Sequence, residues 1–387
     1  MRPCRWCFTA WEWLAGLDVT RGGSLWHIHQ TIAPYLIGKD PCNIERHQPH
    51  LSGYVGFIGS GAESRGRSAI DIALWDLFGK SVNLPLCDVL GGRVRDSVRV
   101  YNTCAGYSYV QTRPTQGTNN FGLDAKQGQY EDLSAFLNNA GELAHSLLEM
   151  GIDGMKIWPF DYAAERSAGQ YISSADLAKA LEPFEKIRSA VGDKMDVMAE
   201  MHALWNRPMA TRIARALEPF NPLWVEDPVV MDHMDAIGEV ARSTRAPIAV
   251  GETRGMAADY RYLLDLKALS LVIMDVTWCG GISEGRKIAA MAQTYKVPVA
   301  FHDCTGPVAL SASTHLARPS ACRIVAIGRK ALTRPSVSPL RPSTGPRPRC
   351  RPRAARRGTP RHWRCPRALR VAPAACAPGP AAAPPPC

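Results

Sequence analysis

The most constraining feature of this 387-residue chain is a series of short apolar runs, each closed by an acidic residue or a histidine. The closing residues are 26, 26, 23 and 27 positions apart: Glu200, Glu226, Glu252, Asp275 and His302. One strand–helix unit of a (β/α) barrel has about this length, and barrel active sites form at the carboxyl ends of the strands. The spacing therefore predicts a barrel with these side chains gathered at its mouth.

Seven β-like runs alternate with helix-like segments, which is typical of parallel βαβ units. The predicted strands are 98–102, 154–158, 196–200, 223–226, 248–252, 271–275 and 297–302. Upstream of them, residues 68–80 place Ile70, Ala73, Leu74, Leu77 and Phe78 on one helical face. The sequence predicts an α/β fold: a TIM-type barrel lacking its last strand, with a partial α+β capping domain.

The distribution of charged residues separates the C-terminal 70 residues from the rest of the chain. Residues 318–387 contain 16 Lys and Arg but no Asp or Glu, whereas the whole chain has 46 basic and 35 acidic residues. The net charge of +11 therefore belongs to this tail, which cannot bury enough apolar surface to fold. We interpret 1–22 as an atypical N-terminal segment, 23–95 as the partial capping domain, 96–317 as the barrel and 318–387 as a disordered Arg/Pro/Ala-rich tail.

The three strand-end glutamates are candidates for a metal site. Carboxylates that converge at one mouth repel each other unless a cation neutralises them, and an all-oxygen set of hard ligands suits Mg²⁺, with Mn²⁺ as the alternative. The structural alternative is that each glutamate is a separate solvated loop residue. The equal spacing favours Glu200, Glu226 and Glu252 as ligands of one divalent cation.

Four further residues are candidates for proton transfer. Asp275 and His302 close neighbouring strands, so the carboxylate could fix the tautomer of the imidazole. Lys156 closes an earlier run, and a divalent cation nearby would lower its pKa towards that of a base. His202 follows Glu200 by two positions, so strand alternation places it on the same side. The structural alternatives are hydrogen-bonded core histidines and a lysine that extends to solvent.

Several of these segments resemble one known family. SAIDIALWDLFGKSVNLPLCDVLGG resembles the helix and Gly-Gly turn that join the capping domain to the barrel in the mandelate racemase/muconate lactonizing enzyme branch of the enolase superfamily. VMAEMH, WVEDP, VGE, DVTWCGGISEG and AFHD resemble its successive strand-end motifs. The resemblance implies abstraction of the proton alpha to a carboxylate, with the enediolate stabilised on Mg²⁺. The roles it implies are metal ligands Glu200, Glu226 and Glu252, the dyad Asp275–His302, and the base Lys156.

The sequence also departs from the family pattern. Glu200 stands where the first ligand is usually Asp, and the Lys-x-Lys of racemases is reduced to Lys156 followed by Ile157 and Trp158. His202 instead resembles the histidine of acid-sugar dehydratases in this branch. Relatives supply an eighth strand about 20–25 residues after the position of His302, and here that stretch enters the tail. The Arg/Pro/Ala-rich composition of the tail, without Asp or Glu, is also typical of GC-rich DNA translated in a shifted frame. The alternative is that the tail is a genuine basic appendage.

The resemblance favours a lyase that dehydrates a sugar acid to a 2-keto-3-deoxy acid. His202 or Lys156 would remove the alpha proton, and His302 would protonate the departing hydroxyl. The alternatives are a racemase or epimerase of a 2-hydroxy acid that uses Lys156 and His302, and a catalytically inactive truncated relative. A nucleic-acid-binding role for the tail is less favoured, because Trp363 is its only aromatic residue for stacking.

The expected partner is a small-molecule sugar acid, and intact relatives are expected to be homo-oligomers. No apolar run approaches the roughly 20 residues that span a bilayer. We therefore expect a cytoplasmic protein without a membrane partner.

Overall fold

The computed structural model describes residues 23–52, 59–106, 131–304, 306–319 and 324–327. All of them belong to one compact unit, Met1–Ser338. The predicted N-terminal segment 1–22 lies outside the described residues, and so does most of the predicted tail. The division at residue 95 stays a prediction.

Eight parallel strands close a barrel in chain order, which confirms the predicted TIM-type architecture. The strands are β1 Arg99–Asn102, β2 Gly154–Ile157, β3 Asp196–Glu200, β4 Trp224–Glu226, β5 Ile248–Val250, β6 Leu271–Met274, β7 Val299–Phe301 and β8 Ile324–Ile327. The first seven lie within two residues of their predicted bounds.

The sequence predicted a barrel without its last strand, but the structure contains an eighth strand, β8. The backbone of β8 pairs with β1 from Ile324 to Ile327 and with β7 at Ala300 and Phe301. The strand begins 22 residues after His302, where the resemblance expects it, but it is only four residues long. Its short apolar run, IVAI, is obscured by the Arg-rich composition on both sides. The barrel therefore extends past residue 317 and is closed.

Helices follow the strands on the outside, and others precede β1. They are α1 Gly23–His27, α2 Ala33–Leu36, α3 Ile44–His47, α4 Ala62–Ser81, α5 Leu86–Val89, α6 Asp132–Asn138, α7 Ala140–Glu149, α8 Asp161–Ser167, α9 Ser174–Val191, α10 Arg207–Leu217, α11 Met234–Ser243, α12 Met256–Asp265, α13 Gly281–Thr294 and α14 Pro307–Ala317. Within the described ranges, no helix is both long enough and apolar enough to cross a membrane.

Side chains that point into the barrel form a separate apolar cluster from the core between strands and helices. Its buried members are Tyr101, Met198, Trp224, Ala249, Leu271, Ile273 and Ala300. The Tyr101 and Trp224 rings meet edge to face with centroids 5.4 Å apart. The barrel interior is thus a packed layer, and this layer is the floor on which the strand-end residues lie.

Helix α4 packs through a second face besides the predicted one. Of the residues predicted to form its apolar face, Leu74 is buried in the core, and Ile70 and Phe78 are partly buried against it. The helix also buries Ser64, Ser68 and Asp71, which share one face at a spacing of four and three residues. The apolar pattern does not reveal this second face, because its partner is the polar segment after β6.

Three hydrogen bonds join this face of α4 to backbone groups of that loop and of the first turn of α13. Ser64 Oγ donates to the carbonyl of Trp278 at 2.8 Å, and the amide of Gly280 donates to Ser68 Oγ at 2.9 Å. The third bond runs from the Ser283 amide to Asp71 Oδ2 at 2.9 Å. Helix α4 thereby satisfies a backbone amide at the start of α13, which has no side-chain cap of its own.

Asp71 is the centre of this interface. It is fully buried, and it also accepts hydrogen bonds from Ser283 Oγ at 2.5 Å and from Gln48 Nε2 at 2.6 Å. Burial raises the pKa of Asp71 to about 6, although these hydrogen bonds oppose the shift. The helices approach so closely that a Cβ on Gly281, at φ +87°, would lie 2.3 Å from Asp71 Oδ2.

We expect Asp71→Ala to lower the free energy of unfolding by about 2–4 kcal/mol, because it removes the acceptor of the buried Ser283 amide and hydroxyl and the shorter of two acceptors of Gln48 Nε2. Denaturant titration followed by circular dichroism measures the change. The control is Asp76→Ala on the same helix, which removes a solvent-exposed ion pair with Lys80 and should cost less than about 0.5 kcal/mol. Equal losses in the two variants would contradict the role assigned to Asp71.

Candidate metal and catalytic site

Three glutamates meet at the carboxyl ends of adjacent strands. Glu200 ends β3 and Glu226 ends β4, where they are paired in register; Glu252 lies two residues past β5. All three are buried, and one carboxylate oxygen of each lies within 4.8 Å of the others. The structure thus brings together the three side chains that the sequence predicts as metal ligands.

Strand alternation explains the position of the first two carboxylates. Glu200 and Glu226 are each two residues beyond an inward-facing member of the barrel floor, Met198 and Trp224. The indole of Trp224 donates from Nε1 to Glu226 Oε2 at 2.7 Å. The floor therefore holds one carboxylate oxygen of Glu226 in place.

Glu252 reaches the mouth in another way, because β5 ends at Val250 instead of continuing through Glu252 as predicted. Gly251 has φ +128°, and a Cβ there would lie 2.5 Å from the carbonyl oxygen of Ile273. The Tyr260 hydroxyl donates to the Gly251 carbonyl at 2.8 Å. Only glycine fits this turn, and the turn directs Glu252 towards the other two carboxylates.

Lys156, near the end of β2, lies against this cluster. Its Nζ donates to Glu200 Oε2 at 2.7 Å and to Glu226 Oε1 at 2.5 Å. Burial alone lowers the pKa of Lys156, but Glu200 and Glu226 outweigh it, so the pKa is raised well above its usual value. Two carboxylates contact the ammonium in this way; the lowering of this pKa beside a bound divalent cation stays a prediction.

The two candidate histidines each pair with a buried aspartate. His302 Nδ1 lies 2.8 Å from Asp275 Oδ2, as the predicted dyad requires, and His202 Nδ1 lies 2.7 Å from Asp161 Oδ2. Each imidazole also contacts an indole: the ring centroids of His302 and Trp278 are 4.9 Å apart, and those of His202 and Trp158 are 5.0 Å apart.

The positions of these pairs in the barrel decide what they can do together. His202 follows β3 and His302 follows β7, and in a closed eight-stranded barrel these strands are diametrically opposite. His302 Nε2 also lies 3.3 Å from Glu252 Oε2. The two imidazoles therefore lie on opposite sides of the barrel mouth, so each can serve one side of a molecule bound between them.

The sequence predicts the position of His202 from strand alternation. In the structure, β3 has already ended, and a turn positions His202 instead. His202 and Ala203 have φ angles of +47° and +58°, in the left-handed region. In this turn the amides of Met201 and His202 donate to Glu200 Oε1 at 3.1 and 2.8 Å. Burial lowers the pKa of His202, but Asp161 and Glu200 outweigh it and raise the pKa to about 9.

Sequence reasoning missed two buried aspartates at this mouth. Asp161 begins α8, a few residues after β2, and only its place in GMKIWPFD pointed towards the site. Asp227 follows Glu226 directly at φ +40°, and its Oδ1 accepts from the Gly251 amide at 3.3 Å. Burial and Glu252 raise the pKa of Asp227 well above its usual value. It supports the turn that carries Glu252.

The mouth of this closed barrel thus gathers three carboxylates and a histidine that follows β7, and comparison with known proteins identifies the family. Residues 139–331 match the family model of the enolase C-terminal domain-like family. Residues 17–91 match that of the mandelate racemase/muconate lactonizing enzyme N-terminal domain. The chain belongs to the mandelate racemase/muconate lactonizing enzyme branch of the enolase superfamily.

The similar proteins include sugar-acid dehydratases. D-xylonate dehydratase of Haloferax volcanii is 31% identical over 298 residues, which are 76% of this chain and 67% of that protein. D-galactonate dehydratase of Ralstonia pickettii is 32% identical over 75% of this chain and 67% of that protein. A solved enolase of the mandelate racemase subgroup from Agrobacterium tumefaciens is 46% identical, with a TM-score of 0.70 over 80% of this chain and 76% of that one. The dehydratase names agree with the predicted enzyme class, a lyase.

We expect Gly251→Ala to destabilise the protein by at least about 2 kcal/mol, because the new Cβ meets the Ile273 carbonyl and the backbone is strained. Gly151→Ala is the control, since Gly151 also has a positive φ but an open neighbourhood, and it should cost about 1 kcal/mol. Thermal unfolding compares the two. A Gly251 variant as stable as the Gly151 variant would refute the close approach.

Proposed function

We propose that this chain dehydrates a sugar acid with the help of Mg²⁺: it removes the proton alpha to a carboxylate and expels the beta hydroxyl as water. The single observation that carries the proposal is the pair of histidine–aspartate dyads on opposite sides of a buried carboxylate triad. Elimination needs a base for one proton and an acid for the leaving hydroxyl, and this arrangement offers both. The dehydratase names of similar proteins support the choice of reaction.

The residues present fit a divalent cation. Three ionised glutamates carry three negative charges, and Lys156 compensates one of them. Among the described residues, Glu252 Oε2 is buried and accepts no hydrogen bond. Glu200, Glu226 and Glu252 would hold Mg²⁺ through hard oxygen ligands, and Mn²⁺ suits the same set. When bound, the ion supplies Lewis acidity that stabilises the negative charge developing on the substrate carboxylate.

The protein's own groups perform the proton transfers. Because Nδ1 of each histidine is engaged by an aspartate, Nε2 is the atom that can take or give a proton. One imidazole removes the alpha proton, the electron pair forms the new carbon–carbon double bond, and the other imidazole protonates the beta hydroxyl, which leaves as water. We assign the base role to His202 and the acid role to His302. The enol product then tautomerises to a 2-keto-3-deoxy acid.

The metal assignment predicts that Glu226→Gln abolishes Mg²⁺ binding while the circular dichroism spectrum stays unchanged. The amide keeps the shape of the side chain, and its oxygen can still accept from Trp224, but it has lost the ligand's charge. Titration calorimetry with Mg²⁺ measures the loss. Glu239→Gln, which alters an exposed ion pair with Arg207, should bind Mg²⁺ like the unaltered protein. Undiminished affinity in the Glu226 variant would rule out this ligand.

The catalytic assignment predicts that His302→Asn stops dehydration but keeps exchange of the alpha proton, because the base lies across the barrel. The assay incubates a library of sugar acids in deuterium oxide and follows 2-keto-3-deoxy acid formation and deuterium incorporation. His202→Asn should abolish both signals. Full turnover by the His302 variant, or formation of epimers alone by the unaltered protein, would contradict the dehydratase proposal; epimers would favour a racemase.

A further inference from the structure

An arginine of helix α4 lies at the edge of the proposed site. The Arg65 guanidinium carbon is 4.1 Å from the ring centroid of Trp278, the same indole that contacts His302. Its position is fixed, because the preceding residue, Ser64, donates a hydrogen bond to the Trp278 carbonyl. The guanidinium therefore belongs to the β6–β7 side of the mouth, beside the histidine that we propose as the acid.

Arg65 differs from its neighbour Arg67 in how its donors are used. Arg67 donates to Gln48 Oε1 at 2.9 Å and to Ser52 Oγ at 3.1 Å, inside the interface below α4. The Nε of each arginine is buried without an acceptor among the described residues. The terminal nitrogens of Arg67 have these two acceptors, whereas the Arg65 guanidinium lies against the Trp278 ring. Structural arginines are normally satisfied by such acceptors. The stacking on Trp278 orients the guanidinium but leaves its donors for another group.

The electrostatic surroundings of Arg65 point to an anionic partner. Burial lowers the pKa of Arg65, and the negative potentials of Cys304, Asp275 and Glu252 only partly oppose this effect. Asp275 and Glu252 are occupied by His302, at 2.8 and 3.3 Å. A partly buried guanidinium stays charged, so its desolvation is best offset by a carboxylate, whose planar geometry matches the guanidinium fork. A neutral hydroxyl would accept one hydrogen bond without compensating the charge.

We propose that Arg65 binds a second carboxylate at the far end of the substrate, so that the preferred substrate is a sugar diacid. This inference rests on the proposed function. The first carboxylate would lie at the glutamate triad, the reacting carbons between the two histidines, and the terminal carboxylate under helix α4. Arg65 is then a specificity-determining residue that takes no part in the proton transfers.

The experiment compares acids that differ only in the terminal group: galactarate with galactonate, and xylarate with xylonate. The full-length protein is assayed with Mg²⁺ for kcat and KM, and calorimetry measures the affinity of His302→Asn for the same acids. We expect the diacid of at least one pair to be preferred. Arg65→Met should weaken diacid binding about 10- to 100-fold, the usual effect of losing hydrogen bonds to a charged group, and mainly through KM. The monoacid should change less than about threefold, the scale of a lost neutral contact.

Two further variants make the result specific. Arg65→Lys keeps the charge but loses the fork, so it should restore diacid binding only in part. Arg286→Met is the matched control, since Arg286 is an exposed arginine over another indole, Trp75, at 5.5 Å, and it should alter neither acid. Folding of each variant is checked by circular dichroism.

The outcomes separate the two proposals. If the protein dehydrates monoacids and Arg65→Met leaves the diacid-to-monoacid ratio of kcat/KM and of affinity unchanged, the diacid inference is overturned and the dehydratase proposal stands. If the unaltered protein neither binds nor converts any of the four acids, and the wider acid library also gives no product, the proposed function fails and the inference fails with it.

Discussion

The constraint on which the rest of this structure depends is the mutual repulsion of Glu200, Glu226 and Glu252. Parallel strands of a closed barrel fix the ends of β3, β4 and β5 side by side, so the carboxylates cannot separate unless the barrel opens. Burial strengthens the repulsion, because low dielectric screens charge poorly. The pKa of Glu226 is accordingly raised well above its usual value, by burial and by the neighbouring Glu200. The surrounding groups can be understood as responses to this repulsion.

The three carboxylates are not compensated equally. Glu200 accepts from two backbone amides as well as from Lys156, and Glu226 accepts from Lys156 and the Trp224 indole. Glu252 Oε2 accepts no hydrogen bond from the described residues and lies 3.3 Å from His302 Nε2. Buried charges without partners destabilise a fold by several kcal/mol, and such incomplete compensation is typical of functional sites. The triad is therefore compensated on the β2–β4 side and left open towards β5 and β7.

Much of this fold and site could be predicted from the sequence, because a barrel converts spacing along the chain into position. The strand ends at Glu200 and Glu226 followed directly from short apolar runs at regular spacing, and Asp275 and His302 from the same rule. The parts that could not be predicted depend on local backbone geometry or on context. The left-handed turn at His202 and the strained Gly251 leave no apolar pattern, and Asp161 reaches His202 from the start of a helix. The strand Ile324–Ile327 was obscured because the composition of a long basic segment outweighs four apolar residues.

Helix α4 connects the region before β1 to the mouth of the barrel, and it makes this connection through its polar face. An apolar contact can slide, whereas the hydrogen bond that Ser64 donates and those that Ser68 and Asp71 accept fix both the distance and the register of the segment after β6. That loop carries Trp278, which contacts both His302 and Arg65. The same interface that stabilises the fold therefore sets the position of an imidazole on the barrel relative to a guanidinium on the cap. The His302 imidazole and the Arg65 guanidinium are therefore held at a fixed separation. For a molecule that contacts both groups, its length as well as its charge would decide whether it fits.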